Sequence, residues 1–345
     1  MKVTNLKELA QILDLSVSSV SKALKNRPDI SLETRSRVKA LAKEYGYVPN
    51  VLAQNLKSGK TRTIGVIIPN VLDEFFGMVL QGIEKQAAAK NYKIVICISD
   101  DKKIKEKDAI ETLINGSVDG VLISIAKETQ NQKNIEHLNR IVKHGTPIVQ
   151  FDRVMTGLEC DMISVDDFNA AFKATKHLMN TGCKRIAFIT PISGTSVGGM
   201  RKEGYLQALN LKGGNLSKPI VIEIKNYTNF MQALRAALNK NKIDGILAAD
   251  ELSAIYAINT IQSLELMVPT DVSVIGFTNG MLAKCSNPTL TTVSQHAFKM
   301  GKKAVNQLIK RIEYPKRETD YIHSILKTDL TVRNSTKKIN TATIQ

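Results

Sequence analysis

The stretch LKELAQILDLSVSSVSKALKNRPDI, residues 6–30, decides how the N-terminal end is read. Leu6, Leu9, Ala10 and Leu13 recur at the spacing of one helix face. Asp14 and Leu15 form a tight turn, and Ser16 is an N-cap for a second helix over Val17–Leu24. Pro28-Asp29 breaks the chain. Ser31 then caps a third helix whose Val38, Leu41, Ala42 and Tyr45 form a buried stripe, with Gly46 at its end. Three helices, the first two joined by a tight turn, make a helix-turn-helix unit. On the second helix Val20, Ala23 and Leu24 point inward, while Ser18, Ser21, Lys22 and Lys25 share the outer face. Short hydroxyls and lysines suit a helix lying in the major groove of DNA. The plainer reading is the solvent face of a small bundle.

Charge favours the first reading. The first 62 residues carry 12 Lys+Arg against 5 Asp+Glu, whereas the other 283 carry 36 against 27. A polyanion partner is expected at the basic end. With 17 aromatics and no Trp, a base-stacking single-strand or RNA platform is disfavoured. The partner expected is therefore double-stranded DNA. Cys97, Cys160, Cys183 and Cys285 are 63, 23 and 102 residues apart, with no CxxC and no Cys/His cluster. Free thiols are expected, and no metal or cofactor. Apolar runs such as Ile64 to Pro69 are far below the roughly 20 residues of a membrane span. Lys7, Glu8 and Gln11 come too early for a signal peptide, so a cytoplasmic location is expected.

The chain is 345 residues long, beyond what one core usually serves. Asn50 to Gly59 reads as a two-turn helix, too short to persist alone, with Leu52 and Leu56 as its anchors. After residues 60–63 the pattern changes. Near-continuous apolar runs at Ile64–Pro69, Lys93–Ile98, Gly120–Ser124, Pro147–Phe151, Met162–Val165, Arg185–Thr190, Val221–Ile224, Gly245–Ala248 and Val272–Phe277 read as strands buried on both faces. Helical patterns such as Gly77–Lys90 and Asn169–Asn180 separate them, which predicts a doubly wound parallel sheet. Asp119-Gly120-Val121-Leu122 returns as Asp244-Gly245-Ile246-Leu247, 125 residues later. Two similar α/β halves with a ligand cleft between them follow.

From Thr4 to Thr336 the chain resembles the lactose/galactose-repressor family of bacterial transcription regulators. The resemblance rests on Ser16 to Leu24, Ser31 to Arg35 with Val38, Gly46-Tyr47-Val48-Pro49-Asn50, Ala53, Leu56 and Thr63-Ile64-Gly65. Phe75-Phe76, Arg201 with Gly204, Val272 to Phe277 and Pro288 to Val293 continue it. It implies an α/β fold: an all-α helix-turn-helix headpiece (1–48), a hinge helix and linker (49–62), and a two-lobed, periplasmic-binding-protein-like effector domain (63–336). The N-lobe would comprise about 63–161 and 294–322, the C-lobe about 162–293 and 323–336, with a polar tail at 337–345. Val17, Ser18 and Lys22 would then face base edges, and Ser16, Ser21 and Asn26 would approach phosphates. Asn50, Ala53 and Leu56 would belong to a hinge helix in the minor groove, with Leu56 as its wedge. Most relatives carry Arg where this chain has Lys22 and Gln54, and Lys22 lacks the bidentate fork. The effector would meet Phe75, Phe76, Asp152, Arg153, Arg201, Tyr227, Asp250 and Thr278. Carboxylates and Arg suit polyol hydroxyls, and aromatics suit a sugar ring face. Asp152 and Asp250 equally suit helix caps at strand ends, whereas Arg201 is read as a ligand contact. Glu74 stands where the family usually has Pro, and Thr278 where it usually has Asp.

Two rivals share some of these features. Gly194-Thr195-Ser196-Val197-Gly198 fits GxSxG, and Ser196, Asp250 and His296 follow the order of an α/β-hydrolase. Pro191-Ile192-Ser193 separates that serine from its strand, which a nucleophile elbow does not allow. A secreted sugar-binding protein shares the two-lobed fold but would have a signal peptide in place of the basic headpiece. The expected function is an effector-controlled DNA-binding repressor, acting as a homodimer on an inverted repeat. The tail after Arg333 has no leucine heptad for a tetramer.

Overall fold

The computed structural model describes residues 5–47, 60–115, 118–210, 218–315 and 320–338. Two units result, one within Met1–Thr61 and one from Arg62 onward. In the first, α1 (Leu6–Ile12), α2 (Val17–Leu24) and α3 (Leu32–Glu44) lie where the pattern predicts them. Asn5 Oδ1 accepts from the Lys7 and Glu8 amides, Ser16 Oγ from Ser19 N (3.0 Å), and Ser31 Oγ from Thr34 N (3.2 Å). Each cap satisfies amides that the helix itself leaves open. Leu9, Val20, Ala23 and Val38 are fully buried at the centre. Asp14 supplies the turn at φ 52°, and Gly46 ends the third helix at φ 64°. The expected hinge segment, with Asn50, Ala53 and Leu56, lies outside the described residues.

The second unit holds two six-stranded sheets. Its first half runs β1 (Thr63–Ile68), α4 (Glu74–Ala89), β2 (Lys93–Ile98), α5 (Lys103–Ile114), β3 (Gly120–Ile123), α6 (Lys127–Gln132), α7 (Glu136–Lys143), β4 (Ile148–Phe151) and β5 (Asp161–Val165). Its second half runs α8 (Asp167–Asn180), β6 (Ile186–Thr190), α9 (Ser196–Asn210), β7 (Ile220–Glu223), α10 (Phe230–Asn241), β8 (Gly245–Ala248), α11 (Glu251–Gln262), β9 (Ser273–Phe277), α12 (Met281–Cys285) and β10 (Thr291–Ser294). Then come α13 (Ala297–Glu313), β11 (His323–Leu326) and β12 (Asp329–Thr331). The sheet orders are β11-β5-β4-β3-β1-β2 and β12-β10-β9-β8-β6-β7. Every pairing is parallel except that of β10 with β12. Alternate residues of each strand feed cores on opposite faces: Ile64, Val66 and Ile68 pack with α4 and α13, while Ile67, Val121 and Ile123 pack with α5 and α7. That is why these runs are apolar throughout.

The lobe boundaries differ from those expected. β5 pairs with β4 (Val149 opposite Asp161) and with β11 (His323 opposite Met162), so residues 162–165 and 323–326 belong to the first lobe. Asp161, fully buried, ties this corner: it accepts from Arg311 Nε (2.8 Å), Gln307 Nε2 (2.9 Å) and Ile322 N (2.9 Å). The chain therefore passes between sheets near Asp166, at Gln295-His296 and at Lys327-Thr328. α4 also starts earlier than expected, because Asp73 Oδ1 accepts from Phe75 N and begins the helix at Glu74.

Candidate functional site

On α2 the residues expected to read DNA remain open to solvent. Ser16, Val17, Ser18, Lys22 and Asn26 are exposed and Ser21 is half-buried. Val17 is an apolar side chain left on the surface of a small unit, as a contact to a thymine methyl would need. The Lys22 ammonium pairs with Asp29 at 2.6 Å, with half of each side chain exposed. So exposed a pair contributes little and is easily exchanged for another anion.

In the second unit, the C-terminal ends of parallel strands from both lobes surround a cleft of about 200 Å³. Such strand ends are where open α/β sheets bind ligands. All eight expected residues line it: Phe75, Phe76, Asp152, Arg153, Arg201, Tyr227, Asp250 and Thr278. Phe75 and Phe76 meet edge to face, their centroids 5.2 Å apart. Gly204 allows the opposite wall to form, because a Cβ there would stand 2.2 Å from the Phe168 carbonyl oxygen. That close approach of α9 to α8 brings Arg201 onto Asp167.

Arg201, read from the sequence as a ligand contact, is also bonded within the fold. Its Nε donates to Asp167 Oδ1 (2.8 Å), its Nη1 donates to the Ala249 carbonyl (2.5 Å), and its guanidinium lies 3.9 Å from the Phe277 ring centre. It lines the cleft and also holds α9 to α8 and to the end of β8. Asp250 likewise has a structural role: it caps α11 through Ser253 N (2.7 Å) and accepts from Tyr227 Oη (3.1 Å). Asp152 caps nothing. It follows β4 at φ 59°, where no helix begins. Arg153 pairs with Asp101, and Thr278 Oγ1 donates to Gln295 Oε1 at 2.9 Å.

Burial dominates the electrostatics. It pushes the Asp152 carboxyl up to about 7, against the pull of Arg153 and Arg201. Burial raises Asp73 too, helped by Asp250 across the cleft, and it raises Asp167 and Asp250. Asn70, Asp73, Asp101 and Gln295 also line the cleft, and sequence reasoning did not place them there. Gln295 directly follows β10, Asn70 and Asp101 stand two and three residues beyond β1 and β2, and Asp73 caps the helix after β1. That position was the available signal.

The hydrolase residues do not meet. Ser196 Oγ accepts from Gln130 Nε2 (3.0 Å), Asp250 binds Ser253 and Tyr227, and His296 pairs with Asp329 (2.7 Å). Among the described residues no group of three or more His, Cys, Asp or Glu is arranged to hold a metal ion. No helix among them is long and apolar enough to cross a membrane.

Comparison with known proteins agrees with this two-part build. Residues 5–50 match the model of bacterial regulatory proteins, lacI family, and residues 175–336 match a periplasmic binding protein-like domain. The HTH-type transcriptional regulator RegA of Clostridium saccharobutylicum is 30% identical over 339 residues, covering 96% of this chain and 99% of RegA. The sucrose operon repressor of Pediococcus pentosaceus is 31% identical over 312 residues, 89% of this chain and 92% of the repressor. A lac repressor dimer bound to operator and the anti-inducer ONPF superposes with a TM-score of 0.82 at 20% identity, over 98% of this chain and all of that one. That last likeness is one of fold.

Proposed function

The chain belongs to the lacI family of bacterial regulatory proteins, and from that premise we propose that it is a cytoplasmic, dimeric transcriptional repressor whose grip on operator DNA is set by a small carbohydrate-like effector. One observation carries the reading. A headpiece with an exposed hydroxyl-and-lysine helix face is joined, in the same chain, to a two-lobed cleft lined by aromatics, carboxylates and guanidinium groups. A sugar-binding protein without gene regulation has no use for the first part. Val17, Ser18 and Lys22 would contact base edges in each half of an inverted repeat, while Ser16, Ser21 and Asn26 would hold phosphates. Asn50, Ala53 and Leu56 would serve the minor groove between the half-sites.

Selection of duplexes from a random pool with the purified full-length chain tests this directly. An inverted repeat should emerge, bound as one dimer. Lys22→Ala should then lower discrimination by about 1–3 kcal/mol at one base pair per half-site. Recovery of no repeat, or equal loss on every sequence, contradicts the proposed roles.

A further inference from the structure

The acidic residues that line the cleft outnumber the basic ones, four to two. Its two cations are already paired: Arg153 faces Asp101, and Arg201 faces Asp167 and the Ala249 carbonyl. Three lining carboxylates remain, Asp73 and Asp152 from the first lobe and Asp250 from the second. Asp73 and Asp250 each accept a backbone amide at a helix start, which offsets part of their charge. Asp152 has no such relief. Only 6% exposed, it lines the cleft and its carboxylate accepts no hydrogen bond from the described residues. Phe75, Phe76 and Tyr227 line the same cleft, and Phe76 already attracts a cation, the Arg153 guanidinium 5.8 Å from its ring centre.

We propose that the effector carries an ammonium group, as an amino sugar or aminocyclitol does, and that this ammonium is seated among Asp152 and Asp73 of the first lobe and Asp250 of the second. The inference rests on the cleft being the effector site. A neutral polyol can donate hydroxyl protons to these carboxylates, but it brings no positive charge to offset their mutual repulsion in a drier site. A phosphorylated sugar would add to it. An ammonium removes it and, being attracted to both lobes, holds them together. Protonation is the competing way to remove the charge. The groups facing Asp152 are Arg153, Arg201, Asp167 and Asp73, of which only the two arginines favour its ionised form.

Calorimetric titration of the full chain near neutral pH tests this, using D-glucosamine, D-galactosamine, D-mannosamine and the aminocyclitol 2-deoxystreptamine. Each hexosamine is paired with its parent hexose and the hexose 6-phosphate. At least one amine should bind tenfold or more tightly than its hydroxyl counterpart, and the phosphates should not bind. Asp152→Asn should reduce that advantage to threefold or less, costing the amine more affinity than it costs the neutral sugar, and without lowering the melting temperature. Asp73→Asn, checked in the same way, should erode it in parallel. Equal or tighter binding of a hexose or its phosphate, no binding of any amine, or an advantage that survives Asp152→Asn overturns the proposal. A neutral sugar that binds and alters operator affinity refutes this inference alone. A chain that selects no inverted repeat refutes the function on which it rests.

Discussion

Truncating Arg201 strips Asp167 of its only ion-pair partner among the described residues, and both side chains are at most 5% exposed. Arg201→Ala should therefore destabilise the effector domain by about 3–5 kcal/mol, the usual result of leaving one buried charge unpaired. Denaturant unfolding of Arg201→Ala and of the double variant with Asp167→Asn checks it. The second substitution should recover much of the loss, and an unaltered midpoint for the single variant would show that the pair is dispensable. Sequence pattern could not reveal this, because a cleft-lining arginine and a helix-clamping arginine share one spacing. Only the approach of α9 to α8 at Gly204 distinguishes them. The buried carboxyls give a second expectation. Burial pushes Asp152 and Glu251 each up to about 7, while in the unfolded chain they titrate at ordinary values near 4. Between those values the folded state holds more protons than the unfolded one, so stability rises as pH falls through 7. His177, pushed down by burial, acts in the opposite sense. Melting temperatures recorded from about pH 5 to pH 8 should thus show a flatter slope for Asp152→Asn and for Glu251→Gln than for the parent. Parallel curves would contradict both assignments.

Among the elements, those with a strong local signal were legible and those fixed only by pairing were not. The three headpiece helices are given by caps and apolar spacing, and the nine expected strands all occur. β10, β11 and β12 carry no such signal, since Thr291–Ser294, His323–Leu326 and Asp329–Thr331 mix polar and apolar residues and stand as strands only through their neighbours. Strand order was equally hidden. Lys93–Ile98 reads as a centrally buried run, yet among the described residues β2 pairs only with β1 and leaves Val95, Ile96 and Ile98 from 40% to 44% exposed. An apolar edge of this kind invites pairing or burial by another chain. If a second copy covers it, Ile96→Glu should yield a folded monomer by light scattering and weaken operator binding. Operator binding should suffer because each monomer then reaches one half-site alone. A dimer that persists at the parent's concentration would place the interface elsewhere.

At the scale of the whole effector domain, the two lobes meet through a few polar contacts besides the three chain passages. Gln130 on α6 donates through Nε2 to Ser196 Oγ (3.0 Å), and its Oε1 accepts from Ser196 N (3.0 Å). Lys127 reaches the Pro191 carbonyl (3.3 Å), and Glu74 Oε1 accepts from Met281 N (2.8 Å). Glu74 makes this cross-lobe bond through its side chain. These contacts exist only when the lobes approach, and an effector touching both lobes favours that same arrangement. Gln130 does not line the cleft, so Gln130→Ala separates closure from ligand contact. Losing two hydrogen bonds should disfavour the closed arrangement by about 1–3 kcal/mol. Effector affinity should fall by no more than the corresponding factor, because a ligand draws on a smaller closed population. Operator affinity without effector should move as well, in the direction opposite to the effector's own action. If effector weakens operator binding in the parent, ligand-free Gln130→Ala should bind operator more tightly; if effector strengthens it, more weakly. The two signs are tied by linkage, since both ligands act on one equilibrium. Fluorescence anisotropy on a labelled operator, with and without effector, reads both quantities for parent and variant. A variant that shifts operator affinity in the same direction as the effector would mean that the signal to DNA is not carried by closure of this cleft.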